Sequence, residues 1–167
     1  AAVTLVACGG GGGGAEVTGT LRVAMTDAPA CGYEHVYVRV ERVRVHTSSS
    51  AEGEGEAGWR EIVLAQPRRI DLLALTNGVL EELGETELPA GQYTQMRLVL
   101  TPNTGADPLA NAVQPSGGEL VPLDTPSASR SGLKLQTRLQ VQEGQTTDVV
   151  LDFDACRSIV PRGTTGR

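Results

Sequence analysis

From Glu16 to Asp27 apolar and polar side chains take turns. Val17, Leu21, Val23 and Met25 share one face, while Thr18, Thr20 and Arg22 take the other. That period of two marks a half-buried β-strand. Asp27-Ala28-Pro29 ends it, because proline has no N–H to give to a ladder. A second strand is predicted over YEHVYVRVERVRVH, Tyr33 to His46. Its phase changes midway: Val36, Val38 and Val40 have one parity, Val43 and Val45 the other. An uncorrected slip would turn half of these valines to solvent, so the spacing predicts a β-bulge or sharp bend at Glu41-Arg42.

Thr47 to Gly58, small and acidic with no period, reads as a mobile surface loop. Trp59–Ala65 and Arg68–Leu73 read as two short strands around Gln66-Pro67, and Thr76-Asn77-Gly78 as a turn. Val79–Leu88 is expected to be a short helical turn or a loop. Leu88-Pro89-Ala90-Gly91 turns into a strand with Met96, Leu98 and Leu100 inward, and residues 102–118 form another loop. Leu133, Leu135, Leu139 and Val141 alternate with polar residues, Glu143-Gly144 turns the chain, and Val149, Leu151 and Phe153 alternate after it. That pair is predicted to be an antiparallel hairpin. Short strands divided by turn chemistry give an all-β fold, a two-sheet antiparallel β-sandwich of Ig-like or transthyretin-like type. The sandwich is expected over residues 16–160, with residues 161–167 a C-terminal tail.

Composition narrows the function. One domain fits 167 residues, and with 3% aromatic content the core must come from Val, Leu, Ile and Met. A net charge of −6 offers no general attraction to phosphate backbones, which argues against a nucleic-acid partner. No apolar run approaches the ~20 residues of a membrane-spanning helix.

The first residues say where the protein works. Leu5-Val6-Ala7-Cys8, followed by Gly9 to Gly14, resembles the lipobox of bacterial lipoprotein signal peptides. The resemblance implies a leader cut before Cys8, lipid on that cysteine, and a membrane partner held through the lipid. Residues 1–15 would then be leader remnant, lipidated cysteine and a flexible glycine tether, since glycine loses most entropy on ordering. The expected location is the outer membrane, the cell surface or the extracellular space. Two alternatives stay open. Ala1–Ala7 could be an ordinary first strand with Cys8 a buried thiol. Or it could be a retained free strand in which Ala1, Ala2, Val3, Leu5 and Val6 complete a neighbour's sheet edge and build filaments. With Cys8 lipidated, Cys31 and Cys156 remain as an even pair in an oxidising compartment, and a disulfide between them is expected.

Candidate chemistry is sparse. His35 and His46 have no motif around them and read as surface histidines. Ser131-Gly132-Leu133-Lys134 has the spacing of the Ser-x-x-Lys enzymes, but Lys134 lies on an alternating strand rather than one helical turn from Ser131. Asp27, Asp152 and Asp154 sit at strand ends and form a candidate Ca²⁺ set, against the commoner role of aspartate in capping turns. No other cofactor is indicated. Arg39, Arg42, Arg44 and His46, with Arg22 alongside, can form a basic stripe on one sheet face, against the plainer reading of a wet face balanced by Glu34 and Glu41. Trp59, Tyr37 and Tyr33 are too few for the aromatic platform of a sugar-binding module. No nucleophile–base–orienter set is visible, so no catalytic residue and no small-molecule substrate is assigned.

GTLRVAMTDAP, the valine-rich strand, IDLLALTNG, LPAGQYTQMRL, GLKLQTRLQV and LDFDACRSIV occur in that order between Gly19 and Val160. In this they resemble the bacterial and archaeal lipoprotein family called domain of unknown function 4382. The LPAGQY turn alone is similar to the Leu-Pro-x-Gly-x-Tyr turn of transthyretin-like and collagen-adhesin-type sandwiches. The resemblance implies an exported β-sandwich, often lipid-anchored, with no established reaction. The expected role is binding or structural at the cell envelope, through a protein partner or self-association.

Overall fold

The computed structural model describes residues 14–27, 32–53 and 55–159. Two sheets face each other there. The smaller holds β1 (Thr18–Asp27) between β4 (Glu81–Pro89) and β9 (Thr146–Phe153). The larger is built on the long β2 (Tyr33–His46), with β3 (Arg60–Asp71) on one edge. The other edge of β2 carries β5 (Gly91–Leu100) and then β8 (Leu133–Val141) along its second half. Along its first half it carries β6 (Ala112–Pro115) and β7 (Val121–Pro122). A 3-10 turn (Leu72–Leu75), α1 (Pro126–Arg130) and α2 (Ala155–Ser158) connect the strands. The chain is a two-sheet β-sandwich, mostly antiparallel, as its sequence indicates.

The core lies where the alternation put it. Leu21, Val23 and Met25 of β1 meet Val36, Val38, Val40, Val43 and Val45 of β2, all at most 5% exposed. All five valines point inward because the ladder shifts register between Val40 and Arg42 on both edges of β2. The expected bulge is there, and it resets the parity. Val17 is not part of this stripe; it precedes β1 and is exposed. Between Val17 and Leu21 the pattern has Gly19, for a steric reason. A Cβ there would lie 2.1 Å from the Gln142 carbonyl oxygen, so no larger residue fits where β1 passes the turn between β8 and β9.

Four expectations are corrected. Trp59–Ala65 and Arg68–Leu73 are not separate strands: β3 is continuous. Val63 faces Arg42 and Arg68 faces Val40, so Leu64 to Pro67 loop out of the ladder where Pro67 has no N–H to pair. Val79–Leu88 is neither helix nor loop, since β4 fills its last eight residues. Its buried leucines, Leu83 and Leu88, have opposite parity because a register shift at Val23/Ala24 lies between them, and that hid the strand period. Finally, β8 and β9 do not form a hairpin. β8 runs antiparallel to β5, while β9 crosses to the other sheet and runs parallel to β1. The turn docks on β1 instead: Gly144 N donates to Thr18 O and Thr20 N to Gln145 O, each at 2.9 Å. Each of these strands has one apolar face, and placing them in opposite sheets buries both faces in the same core. The 102–118 segment also holds a strand, β6, rather than loop throughout.

Candidate functional site

The chemistry of the molecule lies on the outer face of the large sheet. On β2 the outward positions are His35, Tyr37, Arg39, Arg42, Arg44 and His46, so these residues do share one face, with acidic partners beside them. Arg22 is not in it. Arg22 belongs to the small sheet, where its Nε lies 2.5 Å from Asp148 Oδ1. That pair raises the arginine's pKa and lowers the aspartate's, through the hydrogen bond first and the charge second. The stripe gains Arg69 from β3, Arg97 from β5 and Lys134 from β8. Glu61, Arg44, Arg97 and Lys134 stand directly opposite one another in a single row across four strands.

The second half of this face is covered. Residues 47–53 and 55–59 fold over it, held by sheet side chains that donate to loop carbonyls. Gln95 Nε2 and Arg97 Nη2 both reach Ala51 O, at 3.0 and 2.8 Å, and Thr94 Oγ1 reaches Thr47 O at 2.7 Å. His46 donates from Nε2 to Ala57 O (3.0 Å) and accepts at Nδ1 from Ser48 N (2.8 Å), which fixes its tautomer. Trp59 closes the loop, its indole N–H donating to Gly53 O. Two guanidinium groups pack on the Trp59 ring, Arg44 Cζ at 4.6 Å and Arg97 Cζ at 4.9 Å from its centroid. Arg97 also donates to Ser131 O (3.0 Å) from the end of α1. Adjacent like charges repel across a ladder; here the aromatic face, the carbonyls and Glu61, 2.8 Å from Arg44, offset that repulsion. The expected mobile loop is therefore a clasped one, and His46, expected at the surface, is buried. Periodicity could not reveal the loop's contacts, because they run from backbone carbonyls.

The first half is open. Arg39 pairs with Asp107 at 2.8 Å, and Arg42 lies 3.6 Å from Glu41 and 4.0 Å from Glu61. Arg69 lies over the Tyr37 ring at 4.0 Å and has no ion pair among the described residues. Val63, opposite Arg42, is 63% exposed. His35 stacks beside Tyr37 and holds Asp71 Oδ2 through Nδ1 at 2.6 Å. Asp71 Oδ1 also accepts from the Val36 and Leu73 N–H groups, so this carboxylate ties β2 to the 3-10 turn. Sequence reasoning missed the His35–Asp71 pair because 36 residues separate its members.

The aspartates end up in other roles. Asp27 Oδ1 accepts from Ala155 N at 3.1 Å, and Asp154 Oδ1 accepts from Arg157 N, so both hold the start of α2. Asp152 is exposed on the small sheet. Among the described residues no group of three or more His, Cys, Asp or Glu is arranged to hold a metal ion. Ser131 ends α1 and Lys134 lies on β8, so the Ser-x-x-Lys spacing spans a helix end and a strand. Cys8, Cys31, the Cys156 side chain and the residues named for strand donation (Ala1, Ala2, Val3, Leu5 and Val6) lie outside the described residues.

A two-sheet sandwich with a charged outer face, half closed by its own loop, is the class of protein that this geometry defines. Within that class, the chain belongs to the family described as a domain of unknown function, DUF4382, whose model matches residues 18–167. No curated protein and no solved structure matches it.

Proposed function

We propose that this protein is an exported, lipid-anchored binding module of the cell envelope whose contact surface is the open half of the large sheet's outer face. One observation carries the reading: a chain of net charge −6 gathers Arg39, Arg42 and Arg69 around half-buried Tyr37 and exposed Val63 on one face. Arginine and tyrosine are the side chains most used in protein contacts.

The anchor is the lipid on Cys8, with the glycine run as tether. Mass spectrometry of protein taken from its native membrane should find an N-terminus at Cys8 carrying acyl chains. An intact peptide running through Ala7-Cys8 with an unmodified thiol overturns the anchor.

The disulfide belongs to the same reading, and the register supports it. Asp27 stands opposite Phe153, and Asp27 also bonds Ala155 N, so the segments that lead to Cys31 and Cys156 leave the sheet at one end. A bridge closing a loop of about 125 residues contributes up to ~5 kcal/mol in the chain-entropy model. Non-reducing peptide mapping should return the linked pair; two free thiols in the exported protein count against it.

The alternative is a filament subunit built by donation of Ala1–Ala7. The small sheet favours it in one respect: among the described residues β9 pairs only with β1, so its other edge is one to which a strand can add. Deleting Ala1–Ala7 should then abolish polymers seen by electron microscopy, and unchanged polymers rule the donation out.

A further inference from the structure

The binding-module reading leaves its partner unnamed, and the other side of the sandwich suggests one. On the small sheet's outer face Thr20 stands opposite Glu87, Arg22 opposite Glu85 and Ala24 opposite Glu82. From β9, Asp148 and Asp152 join the same face, opposite Arg22 and Thr26. All five carboxylate residues are exposed, and Arg22 is the one cation among these positions, already bound to Asp148. The two outer faces of the sandwich thus carry opposite charge. Basic Arg39, Arg42, Arg69 and Lys134 lie on one side, and acidic Glu82, Glu85 and Glu87 lie on the other.

We infer that the partner of the basic face is the acidic face of a second copy of this chain. This inference rests on the reading of the basic face as a contact surface and names its occupant. Because the two faces lie on opposite sides of one molecule, each copy that docks leaves a new face free. The contact is heterologous and does not close, so copies stack in an open row. Arginine forks suit the carboxylates of β4, which among the described residues is an edge strand of the small sheet.

The size of the face sets its strength. Three strands about 4.8 Å apart, each giving eight residues at about 3.3 Å, make a patch of about 15 by 26 Å. That is about half of the ~800 Å² per partner found in stable complexes. Two free copies therefore meet weakly. Copies tethered side by side on a membrane meet at a far higher effective concentration, and there the contact is populated.

The test uses the full 167-residue chain in sedimentation velocity, from dilute to about millimolar protein. At about 0.01 M salt, where charges act over ~30 Å, the wild type should self-associate; at about 1 M, where they act over ~3 Å, it should not. Two reversal variants separate the faces: E82K with E85K and E87K, and R39E with R69E. Each should be monomeric alone, the first with two basic faces and the second with two acidic ones. Mixed in equal amounts, they should associate again. Thermal melts check that both fold, and if the arginine pair does not, R69E alone serves, with weakened association expected and unchanged association counting against the inference. A wild type that stays monomeric at low salt overturns the inference, as does a mixture that fails to recover. Association that survives 1 M salt or the reversals points to strand donation and overturns it too. A monomeric wild type that instead captures poly-glutamate on its basic face would assign that face to an acidic polymer. The Cys8 anchor is judged separately by mass spectrometry, so the two readings fail independently.

Discussion

The covered and open halves of the large sheet's outer face begin from the same material and end differently. Arg42 and Arg44 are two residues apart on one strand and point the same way. Arg44 is 5% exposed beneath Trp59, while the Arg42 side chain is 33% exposed. What separates them is the loop from Thr47 to Trp59, whose carbonyls bind Arg97, Gln95 and His46 and whose Trp59 ring packs on Arg44. A guanidinium in such a place is structural, since its removal strands buried acceptors. In the open half it is available to a partner.

The largest expected effect lies in the clasp. Arg97→Ala removes the donors to Ala51 O and Ser131 O and the packing on Trp59. It should lower the urea-unfolding free energy by about 3 kcal/mol, whereas Arg42→Ala should cost less than about 0.5 kcal/mol. Equal losses would break the comparison. Next comes Trp59→Ala, which should cost about 2 kcal/mol and open residues 47–58 to proteolysis, with cleavage mapped by mass spectrometry. The matching change Tyr37→Ala in the open half should leave the digestion pattern as it was.

Gly132 sharpens the contrast from beneath. Its φ is +85°, and a Cβ would lie 3.0 Å from Arg97 Cβ and 3.2 Å from Leu98 O. Gly132→Ala should therefore destabilise by about 1–2 kcal/mol and disturb the fluorescence of Trp59, the single tryptophan. Tyr93→Phe should cost about 1 kcal/mol, the bond from its hydroxyl to Pro89 O. Burial raises the Tyr93 pKa above 10.0, so its contribution is complete below pH 10 and is lost as pH rises through the higher folded value. Melting curves should show the wild type losing this advantage over Tyr93→Phe in alkali. The smallest effect belongs to Asp148→Asn. Its carboxylate titrates lower in the folded chain, so the stability it contributes is present above the ordinary carboxylate range and fades in acid. Solvent and salt screen it, and the melting curves of the two proteins should nearly coincide at high salt.

Local pattern and tertiary placement contributed differently. The strands Thr18–Asp27, Tyr33–His46 and Gly91–Leu100 were legible because the side chains of a strand alternate, and the bulge at Arg42 was legible because a change of parity on one strand has few other remedies. β4 was not legible: its own bulge broke the period, and its glutamates imitate a helix or loop. The basic stripe could be read along β2, but Arg69, Arg97 and Lys134 could not be added without knowing the neighbouring strands.

By itself the sequence determined an all-β chain, the inward valines and the outward arginines, since those follow from a period of two. Only the tertiary structure decided that β8 and β9 part into opposite sheets, because burial of two apolar faces in one core outweighs the short turn between them. Only it decided which arginines lie under the clasp and which lie outside it, because a loop's backbone carbonyls carry no signature in the side chains.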